Sequence, residues 1–221
     1  MIRAFVPWIF PFLGLGLIFP LFPANAQEVL RGEVQVDLEQ VRGFVESPPL
    51  NIQGARDKAL EEAAYYFGAM IYGWSFRYDV GEKARRIEEK LELSPLGSIA
   101  ADDPRLEPGN PQVKDNTLSL WSDYRPSDTQ RLRLAKWRSG SLRPAQAYGQ
   151  SPLENKAAAL EDAARAALRA ALRGGERNRP KEVTGYISLA AFPRFWLNAG
   201  RWMVEGRFFV EIREIRPFAA Y

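Results

Sequence analysis

The sequence predicts an α+β fold in which two main Ala-rich helices pack on one face of an antiparallel sheet. Two long segments repeat apolar residues at spacings of three and four, as an amphipathic helix does. Several shorter segments alternate apolar and polar residues, as strands with one buried face do. The 221 residues include 30 basic and 27 acidic side chains, for a formal net charge of +3. This balance gives no reason to expect a nucleic-acid partner.

The first 26 residues are predicted to be a signal peptide. Arg3 is the only charge among the first 27 residues, and it precedes an apolar run from Ala4 to Phe22. Ala24 and Ala26 then provide the small-x-small pattern of a cleavage site, so cleavage is expected before Gln27. Retention as a membrane anchor is the alternative, although three prolines in the run disfavour a stable spanning helix. We expect a periplasmic protein without a stable membrane span after processing.

The next elements are predicted from periodicity. Residues 33–39 alternate strictly and predict a strand, and residues 54–74 have the spacing of a helix. Residues 82–93 are highly charged with a thin apolar face, which indicates a surface helix. Residues 94–112 contain four prolines and two glycines, which are typical of a loop insert. Together these predict a strand, two helices and a long loop.

A hairpin and a joint are predicted to follow. Residues 117–122 and 130–135 alternate on either side of a turn-like Arg-Pro-Ser-Asp sequence, which predicts a hairpin. Residues 139–152 are rich in Gly, Pro and Ser, which indicates an irregular joint.

The C-terminal third gives the clearest signals. Residues 154–173 are dominated by Ala and Leu and predict a helix that ends at two glycines. Residues 183–189 and 201–213 predict an antiparallel pair of strands, joined by an aromatic loop at 193–200.

Two helices share a short sequence. Ala-Leu-Glu-Glu-Ala-Ala at 59–64 recurs as Ala-Leu-Glu-Asp-Ala-Ala at 159–164. One interpretation is a duplicated helix-strand-strand unit within a single domain at 27–221, with repeats at 33–138 and 153–215. The alternative is that two Ala-rich helices are alike by chance.

Residues 55–64, Ala-Arg-Asp-Lys-Ala-Leu-Glu-Glu-Ala-Ala, precede strand-like sequence in a chain that is predicted to be exported. This helix resembles those in the modules of the twenty-kilodalton bacterial outer-membrane lipoprotein family and in the N-terminal module of the flagellar accessory protein FlgT. The resemblance implies an α+β fold, a location in the cell envelope and protein binding without catalysis. The lipid-attachment cysteine of that family is absent from this sequence, and the resemblance supplies no catalytic residue.

The residue types exclude several chemistries. The chain has no His and no Cys, so it has no thiol nucleophile, no imidazole base and no zinc site built from those ligands. Glycoside cleavage needs two carboxyl groups across a cleft, whereas the adjacent pairs Glu61-Glu62 and Glu88-Glu89 diverge by about 100° around a helix. We therefore predict no catalytic, cofactor-binding or metal-binding residue, and no enzyme.

Five residues are candidates for an interaction surface. Arg165, Arg169 and Arg173 are spaced four apart, which places them on one helical stripe. They form either a cationic ridge for an acidic partner or an ordinary solvated face. Phe195 and Trp196 lie in the aromatic loop, where they either dock with a partner or close one end of the core.

These observations predict an exported, non-enzymatic envelope protein that binds another protein or an envelope assembly, for which the periplasmic flagellum is one candidate. The alternative is a periplasmic protein that binds carbohydrate, or cleaves glycans with carboxylates, using Trp196 or Trp202.

Overall fold

A computed structural model describes residues 28–39, 41–42, 45–46, 49–81, 86, 88–140, 142, 144–173 and 180–217. The predicted signal peptide, with Ala24, Ala26 and Gln27, lies outside these residues. Among the helices of the described part, none has both the length and the hydrophobicity that crossing a membrane requires.

The described chain contains three helices and twelve strands. The helices are α1 (Ile52–Ile71), α2 (Asp128–Trp137) and α3 (Lys156–Arg173). The strands are β1 (Leu30–Asp37), β2 (Val41–Arg42), β3 (Val45–Glu46), β4 (Trp74–Asp79), β5 (Lys90–Pro95), β6 (Leu106–Pro108), β7 (Gln112–Lys114), β8 (Thr117–Tyr124), β9 (Ala145–Pro152), β10 (Pro180–Leu189), β11 (Arg194–Asn198) and β12 (Arg201–Pro217).

Ten of these strands form two antiparallel sheets. In the small sheet, β8 pairs with β1 along one edge and with β6 and β7 along the other. The large sheet has the order β11-β12-β10-β4-β5, and β9 pairs with the opposite edge of β12. Strands β10 and β11 lie one after the other along the same edge of β12. Strands β2 and β3 pair only with each other.

The fold is therefore mostly β, and the predicted α+β architecture is wrong. Helix α1 packs on β1 and β8 of the small sheet and on β10 of the large sheet, whereas α3 packs on β9 and β12. The two helices do not lie on one face of one sheet, either as a simple pair or as a duplicated helix-strand-strand unit.

Helix α1 occupies the space between the two sheets. The Asn51 side chain caps its first turn by accepting a hydrogen bond from the Gly54 N–H at 2.7 Å. Phe67 and Ile71 are fully buried. The chain leaves the helix at Gly73, whose φ is +70°. A Cβ at Gly73 would lie 2.5 Å from the Ile187 carbonyl oxygen, so glycine is required both for this conformation and for this contact.

Helix α3 lies unusually close to β9. Ala159, Ala163 and Ala167 are completely buried on the helix, and Gly149 is buried on the facing strand. A Cβ at Gly149 would overlap the Ala159 carbonyl oxygen and the Ala163 amide nitrogen. The small residues on both elements allow the helix backbone to rest directly on the strand.

The predicted strands at 33–39, 117–122, 183–189 and 201–213 correspond to β1, β8, β10 and β12. The helices predicted at 54–74 and 154–173 correspond to α1 and α3. Among the described residues of segment 82–93, the predicted helix is replaced by the start of β5. The segment 94–112 contains the end of β5, all of β6 and the first residue of β7.

The predicted hairpin at 117–135 is wrong because 128–137 is helical. Ser127 and Gln130 form a capping box, in which each side chain bonds to the backbone N–H of the other residue. The joint predicted at 139–152 contains β9, and the aromatic loop predicted at 193–200 contains β11.

We predict that Gly149→Ala lowers the free energy of unfolding by at least about 2 kcal/mol, because the added methyl group forces α3 away from β9. The urea concentration at the midpoint of unfolding measures this change.

Gly68→Ala in α1 is the matched control, since the nearest neighbours of its added Cβ lie at 3.6 Å or more. We expect it to be neutral or to stabilise the protein by up to about 1 kcal/mol. Equal stabilities of the two variants would contradict the close approach of α3.

Candidate binding cleft at the junction of the two sheets

A cleft of about 490 Å³ lies where the small sheet meets the large sheet. Its two walls are consecutive residues of two strands, namely 31–35 of β1 and 192–196 at the start of β11, and Tyr66, Trp121 and Lys156 complete the lining. Among the described residues, β1 pairs only with β8 and β11 pairs only with β12. The cleft therefore lies between two unpaired strand edges, and we call it the junction cleft.

The floor of the junction cleft is aromatic. The ring of Tyr66, from α1, lies 5.3 Å from that of Phe192 and 5.5 Å from that of Phe195, measured between centroids. Phe192 also contacts the ring of Phe67, at 5.2 Å. Gly32 makes room for this cluster, since a Cβ there would overlap the Phe192 ring. Burial raises the pKa of Tyr66 well above its ordinary value, so its hydroxyl group stays protonated.

The rim carries tryptophan and arginine side chains. Trp121 of β8 is 51% exposed and lies opposite Glu33 in the β1–β8 register. Trp196, on β11, is half-buried, and Arg194 beside it is exposed. Arg31 makes two hydrogen bonds of 2.6 Å to the Asp123 carboxylate. These bonds hold the pKa of Asp123 below its usual value.

Lys156 closes one end of the cleft and connects four elements. Its ammonium group donates to Glu62 Oε2 on α1 at 2.6 Å and to the Gln35 carbonyl oxygen on β1 at 2.9 Å. It also lies 4.9 Å from the centroid of the Phe195 ring and 5.0 Å from that of Trp202. Only 14% of the Lys156 side chain and 20% of the Glu62 side chain are exposed.

The environment of Lys156 perturbs its charge. Burial lowers the pKa of Lys156 below its ordinary value, and the carboxylate of Glu62 partly opposes this shift. A second cleft of about 400 Å³, which Trp202 and Leu197 help to line, lies on the other side of this side chain. Lys156 thus separates two clefts and joins α3 to α1, β1 and the aromatic face of the large sheet.

The predicted aromatic candidates both belong to the junction cleft. Phe195 points inward, to the floor and to Lys156, whereas Trp196 lines the outer part beside Arg194. Core packing therefore describes Phe195, whereas partner docking stays a prediction for Trp196. Phe195 packs against the core, and Trp196 is half-buried at the cleft.

The predicted cationic ridge lies elsewhere on α3. Arg169 donates to both carboxylate oxygens of Glu89, with Nε 2.7 Å from Oε1. Arg165 Nη1 lies 3.5 Å from Asp162 Oδ1. Arg173 ends the helix, and its side chain lies outside the described part. The pairing with Glu89 uses Nε and Nη2 of Arg169 and offsets its charge, which weakens its attraction for an anionic ligand.

Tyr78 extends this pairing into the large sheet. Its hydroxyl donates to Glu89 Oε1. The bond from Arg169 holds the pKa of Glu89 below its usual range. Burial, together with the bond to Glu89, raises the pKa of Tyr78 to about 12. The group Tyr78–Glu89–Arg169 thus fixes α3 to β4.

Sequence reasoning missed Lys156, Glu62, Tyr66 and Trp121 as parts of one site. Lys156 carried a usable signal, because it opens α3, where the positive end of the helix dipole disfavours a cation. The sequence contains no local pattern that would bring β1 to β11, because 156 residues lie between Asp37 and Arg194 along the chain. The interaction with Gln35 therefore could not be anticipated.

Comparisons with known proteins place the chain in a family. A protein-family model matches residues 20–218, which is most of the chain, so the chain belongs to the family that this model defines. A protein of Treponema pallidum (strain Nichols), whose name is "Uncharacterized protein", is 26% identical over 165 residues, covering 73% of this chain and 69% of the relative. No solved structure matches significantly.

We predict that Lys156→Met lowers the free energy of unfolding by about 2–3 kcal/mol, because it leaves the carboxylate of Glu62 largely buried without its cation. The double variant Lys156→Met/Glu62→Met should lose less than Lys156→Met alone. Urea unfolding of the four proteins of this cycle measures the coupling.

Lys58→Met is the matched control, because Lys58 has no ion partner among the described residues. It should change stability by less than about 0.5 kcal/mol. Strictly additive losses in the double variant would contradict a coupled Lys156–Glu62 pair.

We predict a loss of stability in alkaline solution that depends on Tyr78. The folded-state pKa of about 12 lies above the ordinary value of 10.0, so the folded state retains the phenol proton longer than the unfolded state does. Stabilisation by Tyr78 is complete below about pH 10 and falls as the pH rises towards 12, by up to about 3 kcal/mol.

Urea unfolding of the wild type and Tyr78→Phe at several values from pH 9 to about 12 isolates this contribution. Their difference in stability should shrink as the pH rises, since phenylalanine has no proton to lose. A difference that stays constant across this range would show that Tyr78 titrates normally.

Proposed function

We propose that this protein is an exported, non-enzymatic component of the cell envelope that binds another envelope protein through the junction cleft. One observation carries the proposal: two unpaired strand edges border a cleft whose rim holds accessible tryptophan and arginine side chains.

The rim has the composition of a protein-binding surface. Tryptophan and arginine are the residues that most often dominate binding energy at protein interfaces. Trp121, Trp196, Arg31 and Arg194 all line one cleft. Its volume is in the range of ligand sites, and its aromatic floor is supported from beneath by α1. A partner would meet an aromatic floor that is already packed against α1.

The charges argue against an enzyme that cleaves glycans with carboxylates. Such an enzyme needs a carboxylic acid whose pKa is raised. Among the described residues, every carboxyl group with a clearly shifted pKa is shifted downward, as Glu89, Asp103 and Asp123 illustrate. Glu62, the carboxylate at the Lys156 end of the junction cleft, is bound by Lys156.

Export and envelope location rest on the N-terminal sequence. The charge of Arg3, the apolar run and the two alanines before Gln27 have the order of a signal peptide. The resemblance of residues 55–64 to exported envelope modules supports the same location.

Carbohydrate binding is the second candidate, because Trp121 and Trp196 offer ring faces on which a sugar could stack. The unpaired edges favour a polypeptide, since a strand edge presents alternating N–H and C=O groups that match another backbone. The test below separates these ligands.

We predict that a photo-crosslinker attached in the cleft captures a specific envelope protein. The chain contains no cysteine, so Gln35→Cys provides a single attachment point on the rim, at an exposed residue that is not among the proposed binding side chains. The captured protein, identified by mass spectrometry, should be lost when Trp196→Ala is added, because truncating a tryptophan at an interface typically weakens binding by more than about 1 kcal/mol.

Two controls make this result specific. Leu132→Cys places the crosslinker on α2, at a residue that is 72% exposed and outside the cleft lining. Tyr148→Ala removes an aromatic ring that is 56% exposed on β9. Capture from both attachment points, or capture that Trp196→Ala leaves unchanged, would refute the proposal. Capture of peptidoglycan fragments alone would favour the carbohydrate candidate.

A further inference from the structure

A second pocket, of about 390 Å³, lies between α2 and the large sheet. It shares no lining residue with the junction cleft, and we call it the α2 pocket. Helix α2 contributes Arg133, Lys136 and Trp137 to its lining. Because residues three and four apart are neighbours on a helix surface, these side chains line the pocket from one face of α2.

Hydrogen bonds hold two aromatic rings of the α2 pocket in place. The Tyr72 hydroxyl, at the end of α1, accepts a hydrogen bond of 2.9 Å from Nε2 of the buried Gln130. The Trp137 indole N–H donates to the Ile71 carbonyl oxygen at 3.2 Å. Both rings are half-buried, so each packs on the protein and still exposes part of its surface.

Guanidinium groups lie over two tyrosine rings of the pocket. Arg133 Cζ is 5.3 Å from the centroid of the Tyr72 ring, and Arg213 Cζ, on β12, is 5.5 Å from that of Tyr186 on β10. A cation is attracted to the face of an aromatic ring, so these contacts restrict two flexible side chains. A stacked guanidinium still presents its N–H groups at the edge of its plane.

The lining of the α2 pocket carries an excess of positive charge. Arg213 Nη2 lies 2.6 Å from Glu211 Oε1, so these two lining residues neutralise each other. Glu211 supplies the one carboxylate of the described lining. Arg133 and Lys136 have no ion partner among the described residues. Two positive charges are therefore left without a carboxylate.

The neighbouring charges on α2 do not cancel this excess. Arg131 is paired with Asp128, and Arg138 is paired with Glu28. Both pairs are neutral and lie outside the lining. The two unpaired cations thus determine the electrostatic preference of the pocket, which is for an anion.

The residue types define the anion that fits. Arginine binds a phosphate through two parallel N–H donors, and lysine binds it as a point charge. A phosphate monoester carries close to two negative charges at neutral pH, since its second pKa is about 6, and so it matches Arg133 and Lys136 together. Trp137 and Leu96, which is 43% exposed, supply apolar surface for the rest of the molecule.

We propose that the α2 pocket binds a phosphate monoester with an apolar substituent. Arg133 and Lys136 bind the phosphate, and the substituent lies against Trp137 and Leu96. The ester is either a soluble molecule or a lipid whose head group is a phosphate monoester, as in phosphatidic acid. The site is separate from the junction cleft and does not depend on the proposed function.

Isothermal titration calorimetry of the full chain with 1-naphthyl phosphate, at about pH 7.5, is the first test. Two probes each lack one half of this ligand: 1-naphthol has the rings without the charge, and inorganic phosphate has the charge without the rings. We expect naphthyl phosphate to bind at least about tenfold more tightly than either probe, because it alone contacts both the cations and the apolar surface.

Charge-removing variants test the phosphate contacts. Arg133→Gln and Lys136→Gln change exposed side chains that have no ion partner in the described part of the chain, so both variants should fold. Each should weaken binding at least about tenfold, the expected loss for a hydrogen bond to a charged group. Arg131→Gln removes the same charge from the same helix outside the lining, and it should change the affinity by less than about threefold.

The indole N–H signals of two tryptophans report where the ligand binds. Trp137 and Trp202 each donate this proton to a backbone carbonyl, but Trp202 lies beside Lys156 and outside the α2 pocket. In proton–nitrogen NMR spectra, naphthyl phosphate should shift the Trp137 signal and leave the Trp202 signal unchanged. Trp137→Phe and Trp202→Phe assign the two signals.

Vesicles distinguish the two sources of the ester. Co-sedimentation with phosphatidylcholine vesicles that contain phosphatidic acid, lost in Arg133→Gln and absent with phosphatidylcholine alone, would support a lipid head group. Binding of naphthyl phosphate without such co-sedimentation would support a soluble ester.

Four results would overturn the proposal. Neither naphthyl phosphate nor the phosphatidic acid vesicles bind; Arg133→Gln and Lys136→Gln bind as tightly as the wild type; or the ligand shifts the Trp202 signal and leaves Trp137 unchanged. The fourth is inorganic phosphate binding as tightly as naphthyl phosphate, because the apolar surface would then contribute nothing.

Discussion

The junction between the two sheets depends on the contacts that the Lys156 ammonium group makes. A cation that is 14% exposed carries a desolvation penalty, and the chain offsets it with one carboxylate, one carbonyl and two aromatic faces. These partners come from α1, β1, β11 and β12. Because an ammonium group must keep most of its partners to remain buried, the four elements are held in one arrangement.

This arrangement leaves the two sheets close but unjoined. The Lys156 ammonium group donates a hydrogen bond to the Gln35 carbonyl oxygen at one end of the β1 edge. At the other end, the Phe192 ring fills the space next to Gly32. Between them the edges face a cleft, where most proteins would cover, shorten or charge an edge to prevent unwanted pairing. The half-exposed tryptophans beside the edges give that cleft a surface suited to a partner.

The elements with long periodic patterns could be predicted from the sequence, and those defined by small residues could not. Strand β9 presents Ala147, Gly149 and Ser151 to α3. This composition is typical of a loop, and the sequence does not show that the α3 backbone rests on Gly149 and requires small residues there. Helix α2 was not predicted, because Leu132 and Leu134 alternate with polar residues as in a strand, although Leu132 is exposed. Its capping box was the stronger local signal.

The predicted fold class was wrong for a related reason. Alternation shows that a segment has one buried face, but it does not show which sheet the segment joins. Phe195 and Trp196 could be selected as conspicuous aromatics, whereas their neighbours Glu33 and Lys156 are brought to them only by tertiary structure. The candidate site is thus a property of the contact between sheets.

Residue-by-residue amide hydrogen exchange of the free protein, measured by NMR, tests the central claim most directly. If the β1 edge is open, the amides of Arg31 and Glu33 exchange rapidly while those of Gly32 and Val34, bonded to β8, are strongly protected. Uniform protection along β1 would mean that the edge is already paired, and it would contradict the account.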